Sequence, residues 1–177
     1  MVWEALTAVG TVFTGLVILV TVLLGARQLR ATTRQLEQLQ RATQLDGTMR
    51  IFEVIRNPRF REAQRFVFAD LAERLQDEQF RRDAERVGGV SVEIHKERLL
   101  LETFEEVGTY VKHGLLSGDA IYDLIGPVII GSWKRLRDLI AAQRRVYGGN
   151  ELWENYEFLY DQAKRYDEEH HPEEGAN

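Results

Sequence analysis

The sequence predicts an all-α protein: an N-terminal transmembrane helix that continues into a stalk and is followed by a cytosolic helical bundle. Three observations carry this expectation. Residues 5–26, "ALTAVGTVFTGLVILVTVLLGA", contain no charge. The following "RQLRATTRQLEQLQRATQL" is built of helix formers, with neither Gly nor Pro before Gly47. Every later segment spaces its apolar residues at helical intervals, and none alternates as a half-buried strand does.

Twenty-two uncharged residues rise by roughly 33 Å as a helix, which matches a hydrocarbon core of about 30 Å. The few residues before them include Glu4 but no Lys or Arg, unlike the basic start of an export signal. Arg27, Arg30 and Arg34 come directly after. The positive-inside rule then expects the N-terminus outside and the rest in the cytoplasm of a bacterial inner membrane, with Trp3 as an interfacial anchor. The resulting division is a span at 1–26, a juxtamembrane stalk at 27–46, a cytosolic helical domain at 47–168 and a flexible acidic tail at 169–177.

Glu4, Thr7, Thr11, Thr14, Ile18, Thr21, Gly25, Gln28, Thr32 and Gln35 recur at alternating intervals of three and four, so they share one helix face. Small and hydroxyl-bearing residues on one face let helices approach closely and hydrogen-bond across the contact. This points to a homo-oligomer. A sharper reading encloses a threonine-lined pore with Glu4 at its mouth, and a plainer one has each threonine bonding back to its own helix. Leu29, Leu36 and Leu39 add a sparse apolar line able to pack on a partner helix.

Beyond the stalk, Leu45, Met49, Phe52 and Ile55 are expected on one buried face, with Asn57 and Pro58 closing that helix and opening the next. Phe60, Ala63, Phe66 or Val67, and Leu71 mark the inner face of the second. "QDEQFRRDAERVGG" reads as a short exposed helix or loop and as the most mobile region. A long helix from Ser91 should bury Leu100, Phe104, Val107 and Val111 and stop at Gly114. Next come a short capped helix, a break at Gly126-Pro127, and a helix carrying Trp133, Leu136 and Ile140 that ends at Gly148 and Gly149. Asn150 is the expected cap of the last helix, whose Trp153, Tyr156, and Leu159 or Tyr160 face the core.

The 177 residues carry a formal charge of −5 with both signs interleaved, which gives no support for DNA binding. The absence of cysteine excludes disulfides, thiolate metal sites and cysteine nucleophiles. No Gly-rich phosphate loop, Walker pattern or G-x-S-x-G is present.

Trp3 with Glu4 and Ala5, the Arg-Gln-Leu exit at Arg27, and above all "FEEVGTYVKHGLLSGDAIYDLIGPVIIGSWKRL" resemble a family of short bacterial membrane-anchored proteins classed as a domain of unknown function. The resemblance implies a membrane anchor and a helical cytosolic domain, and no catalytic residues. Phe104, Gly108, Gly114, Asp119 and Trp133 match its pattern and have packing or turn explanations.

Arg165 and His170 form an R-x4-H element that loosely resembles the minimal signature of HEPN-type ribonucleases, in which arginine stabilises phosphate charge and histidine moves protons. A solvated tail explains the same residues. The layout as a whole is similar to membrane-spanning accessory proteins of RNA-targeting CRISPR systems. A di-metal bundle needs two E-x-x-H elements, and only Glu168 and His171 have that spacing. Glu102, Glu106 and His113 share a helix face without forming one. His95 shows no partner in the sequence. No metal or other cofactor is called for.

The leading expectation is therefore a membrane-anchored helical interaction module that self-associates and is not an enzyme. Its partners would be the lipid bilayer, further copies and a cytosolic protein. An oligomeric pore or depolarising effector, in phage defence for instance, and a metal-independent ribonuclease are the alternatives.

Overall fold

Asn57-Pro58, Gly114 and Gly148 are the helix-breaking signals that divide the described chain into its main helices. The computed structural model describes the backbone of residues 2–171, and side chains in that range except at 2, 4–14, 16, 17, 19, 20, 37, 40 and 41. Regular structure there is wholly helical: α1 (Val2–Arg56), α2 (Pro58–Arg65), a π-helical turn (Phe66–Asp70), α3 (Leu71–Arg74), α4 (Glu78–Ala84), α5 (Glu97–Lys112), α6 (Gly118–Tyr147) and α7 (Glu154–His170). Two compact units divide within α1, Met1–Thr43 and Gln44–Asn177.

The first unit overturns the expected membrane span. Among the described residues no helix is long and apolar enough to cross a membrane. A span needs about 20 predominantly apolar residues in one helix, and no described stretch of α1 meets that requirement. With the span go the single-pass topology, the inner-membrane placement and the pore.

In the second unit the end of α1 buries a face turned by one residue from the expected one. Thr48 and Ile51 are buried, and Phe52 and Ile55 are half-buried as expected, whereas Leu45 and Met49 are exposed. The chain turns this way because Gly47 lies against Leu116: a Cβ there would come within 2.7 Å of the leucine Cδ2. Gln44 also donates to the Gly114 carbonyl at 3.2 Å. The face so turned buries Ile51 and packs Ile55 against the core, which offsets the exposure of Leu45 and Met49.

Asn57 caps α2 as expected, its side chain accepting from the Arg59 amide at 2.9 Å, and Pro58 occupies the first turn. The π-helical turn then brings both Phe66 and Val67 into the core, together with Phe60, Ala63 and Leu71. The charged segment after it is more ordered than its composition suggests. Asp77 accepts from the Phe80 amide at 2.9 Å, α4 forms, and Phe80 and Ala84 are buried; two anchors suffice to seat a helix that is otherwise polar.

Residues 91–96 turn before α5 begins at Glu97, so the long helix starts later than expected. Its face of Leu100, Phe104 and Val107 is buried, and Gly114 ends the run at φ +69°, where a side chain would be strained. The expected break at Gly126-Pro127 does not occur. Proline removes one hydrogen bond and crowds the preceding turn, at about 3 kcal/mol, but Ile125, Ile129, Trp133 and Leu136 are buried on both sides of it and contribute about 1.5–3 kcal/mol each. A single helix α6 results.

Gly148 ends α6 in the left-handed conformation. Asn150 does not cap α7; the residue before it is Trp153, at φ +62°, a backbone state uncommon for any residue but glycine. Trp153 is held there by its indole N–H, which donates to Gln143 Oε1 at 2.7 Å. Gln143 in turn donates to the Ala84 carbonyl at 2.8 Å, joining α4, α6 and the start of α7 through one fully buried amide. An aromatic cluster completes the core: Phe104 lies 5.1 Å from Tyr156, and Trp133 meets Tyr156 edge-on at 4.9 Å.

Candidate functional site

The described part of α1 ahead of Gln44 carries large apolar side chains in the open. Ile18, Val22, Leu23, Leu24, Leu29, Leu36 and Leu39 are all more than half exposed. Ile18, Val22, Gly25, Leu29, Thr32, Leu36, Leu39 and Thr43 step by four and three in strict alternation, which places them on one seam of a heptad pattern. The flanking positions are uncharged, Thr21, Gln28 and Gln35 on one side and Ala26 and Thr33 on the other. Arg27 and Arg34 fall at the heptad position opposite the seam.

The threonine stripe expected from the sequence is adjacent to this seam and shares Ile18, Gly25 and Thr32 with it. Ile18, Thr21, Gly25 and Gln28 are exposed on α1. The side chains of Glu4, Thr7, Thr11 and Thr14 lie outside the described residues. Thr32 and Thr43 donate to carbonyls one turn back, Gln28 at 3.0 Å and Leu39 at 2.9 Å, so their hydroxyls are satisfied within the helix and their methyl groups remain as contact surface.

A second constellation, invisible in the sequence, surrounds His95. His95, Glu97 and Arg98 are all buried. His95 Nδ1 lies 2.8 Å from Glu97 Oε1, its ring stacks on Phe80 at 4.4 Å, and Arg98 donates to the Arg86 carbonyl. Glu97 Oε2 and Arg98 Nε have no hydrogen-bond partner among the described residues. His95 borders a cleft of about 410 Å³ with Arg74, Asp77, Phe80, Asp83 and Ser91. The Ser91 hydroxyl is bonded to Glu93, so no histidine-activated hydroxyl is assembled. The arrangement ties the turn before α5 to α4.

Burial pushes the Glu97 carboxyl above its ordinary 4.5, against its own amide, the His95 hydrogen bond and the nearby positive charges. A carboxyl raised on folding binds its proton more tightly in the folded state, so its contribution is greatest below about pH 4.5 and is lost as pH rises through the folded value. Glu97→Gln, which keeps the shape and cannot ionise, should therefore lose its disadvantage against the unmodified protein as pH climbs from 4 to 8. Urea melts across that range check this; a disadvantage that widens with pH would contradict it.

Arg165 and His170 both lie exposed on α7. Arg165 Nε is 3.4 Å from the Asp161 carbonyl; His170 Nδ1 is 2.9 Å from the Tyr166 carbonyl and its ring stacks on Tyr166 at 4.0 Å. Five residues apart on a helix, they project about 140° from one another, and each is engaged with its own helix. Glu102, Glu106, His113, Glu168 and His171 are likewise exposed. Among the described residues no three His, Cys, Asp or Glu side chains are grouped to hold a metal ion.

Residues 13–163 match a family model described as a domain of unknown function, DUF4760. No curated protein and no solved structure matches the chain.

Proposed function

We propose that this chain, which belongs to the DUF4760 family, is a helical interaction module that self-associates through α1 and is not an enzyme. The observation that supports this is the exposed seam from Ile18 to Thr43. A single helix in water is marginally stable and gains most of its stability from packing, yet the apolar residues of this seam are uncovered within the chain. Their heptad spacing, uncharged flanks and opposed arginines suit a second helix of the same kind. A partner of strongly charged surface would find nothing to pair with on either flank.

The test is the mass of the full chain in a mild non-ionic detergent, which suppresses indiscriminate clustering of apolar surface. A defined oligomer is expected. Leu29→Asp combined with Leu36→Asp buries two carboxylates in the seam at about 2 kcal/mol or more apiece, so association should weaken at least a hundredfold, at 1.4 kcal/mol per tenfold. The second unit should keep its helicity and melting behaviour. A monomeric unmodified chain, or an oligomer indifferent to both substitutions, would overturn the proposal.

A further inference from the structure

The last turns of α6 and the connection to α7 border a groove of about 670 Å³. Arg137, Arg144 and Arg145 line it against a single acid, Glu157. Arg137, Ala141 and Arg145 follow at steps of four along one helix face. Two guanidinium groups thus flank a position where the side chain is one methyl group. Eight residues of helix rise about 12 Å, a gap that two arginine side chains can close over a small anion. Gly148 and Gly149, which also line the groove, leave its far end without side chains.

Arg144 has a different standing. Its side chain is only 16% exposed and pairs with Glu157 at 2.8 Å, while its Nε donates to the Leu152 carbonyl at 2.9 Å. It is a fixed positive charge. Trp133, 8% exposed and stacked on Tyr160 at 5.4 Å, supplies a rigid apolar wall.

Arginines at a helix C-terminus answer the negative end of its dipole, an effect confined to the last turn. That accounts for Arg144 and Arg145 but leaves Arg137, more than two turns back, unexplained. Its pair with Asp138 is 3.7 Å long and exposed on both sides, and so holds it weakly. Arg145 has no ion pair among the described residues. Three guanidinium groups against one carboxylate in the lining, Glu157, and the weakly held Asp138 outside it leave an excess of positive charge in a chain of net −5. One guanidinium satisfies a carboxylate; several together suit a tetrahedral dianion with three free oxygens.

We propose that this groove binds a phosphate-bearing small molecule, with Arg137 and Arg145 contacting the phosphate and Arg144 supplying a fixed charge. The inference is independent of self-association through α1. Isothermal titration of the full chain at low ionic strength, with inorganic phosphate in one arm and adenosine monophosphate in the other, tests it. Saturable binding in at least one arm is expected, with phosphoester affinity above that of phosphate assigning an organic ligand and equal affinity assigning free phosphate. Arg137→Ala with Arg145→Ala, both exposed positions, should weaken binding at least tenfold with the helicity unchanged. No saturable binding tighter than about 10 mM, or about 2.7 kcal/mol, would overturn the proposal, as would affinity unaltered in the double variant.

Discussion

Gly108→Ala should destabilise the second unit by about 3 kcal/mol or more, lowering its Tm by about 10 °C. A Cβ at Gly108 would overlap the Asn155 carbonyl oxygen and come within 2.5 Å of its carbon. Both belong to backbone, so no side-chain rotation relieves the clash. The adjoining chain has little freedom to retreat. Trp153, two residues earlier, is pinned to Gln143, and Tyr156, one residue later, is fully buried among Phe104 and Trp133. α5 and α7 must therefore separate, which also opens the aromatic cluster between them. Denaturant melts of the two proteins check this directly. A midpoint within experimental error of the unmodified protein would mean that the two helices are not in contact at Gly108.

The all-helical class, most of the helix ends and the inner faces of α2, α5 and α6 follow from periodicity and capping, because those signals are local. Phe60, Ala63, Leu100, Phe104 and Leu136 are buried where helical spacing puts them. What escaped the sequence is set by contacts between distant residues. Nothing near Leu45 and Met49 reveals that Gly47 rests on Leu116, and this contact is what turns the buried face of α1 toward Thr48 and Ile51. Pro127 reads as a break until the buried residues on both sides are known to hold α6 together. His95 has no partner within helical reach, since Glu97 and Phe80 come to it through a turn and a separate helix. The candidate seam on α1 is legible only in part: Leu29, Leu36 and Leu39 stand out by spacing, but the threonines one position aside draw the expected face away from Val22.

Glu105 shows how far such contacts reach, and its removal should have the next largest effect. The first amides of a helix lack partners within it, and α7 begins after Trp153 without a side-chain cap of its own. Glu105, on α5, supplies one from 50 residues away: Oε2 accepts from the Tyr156 amide at 2.9 Å, and Oε1 from the Asn155 side-chain amide at 2.8 Å. A negative carboxylate at a helix N-terminus is also favoured by the dipole. Glu105→Ala leaves these donors unsatisfied in a half-buried setting, at about 1–3 kcal/mol each before water compensates, so a loss of about 2–4 kcal/mol is expected. Glu105→Gln retains one acceptor and the shape, and should lose about half as much. Because Gly108 lies one turn along α5 and meets the same Asn155, the alanine substitutions at 105 and 108 act on one contact and should sum to less than their separate effects. A thermodynamic cycle of the two single variants and the double variant measures this coupling. Strict additivity would show that Glu105 does not act through the start of α7.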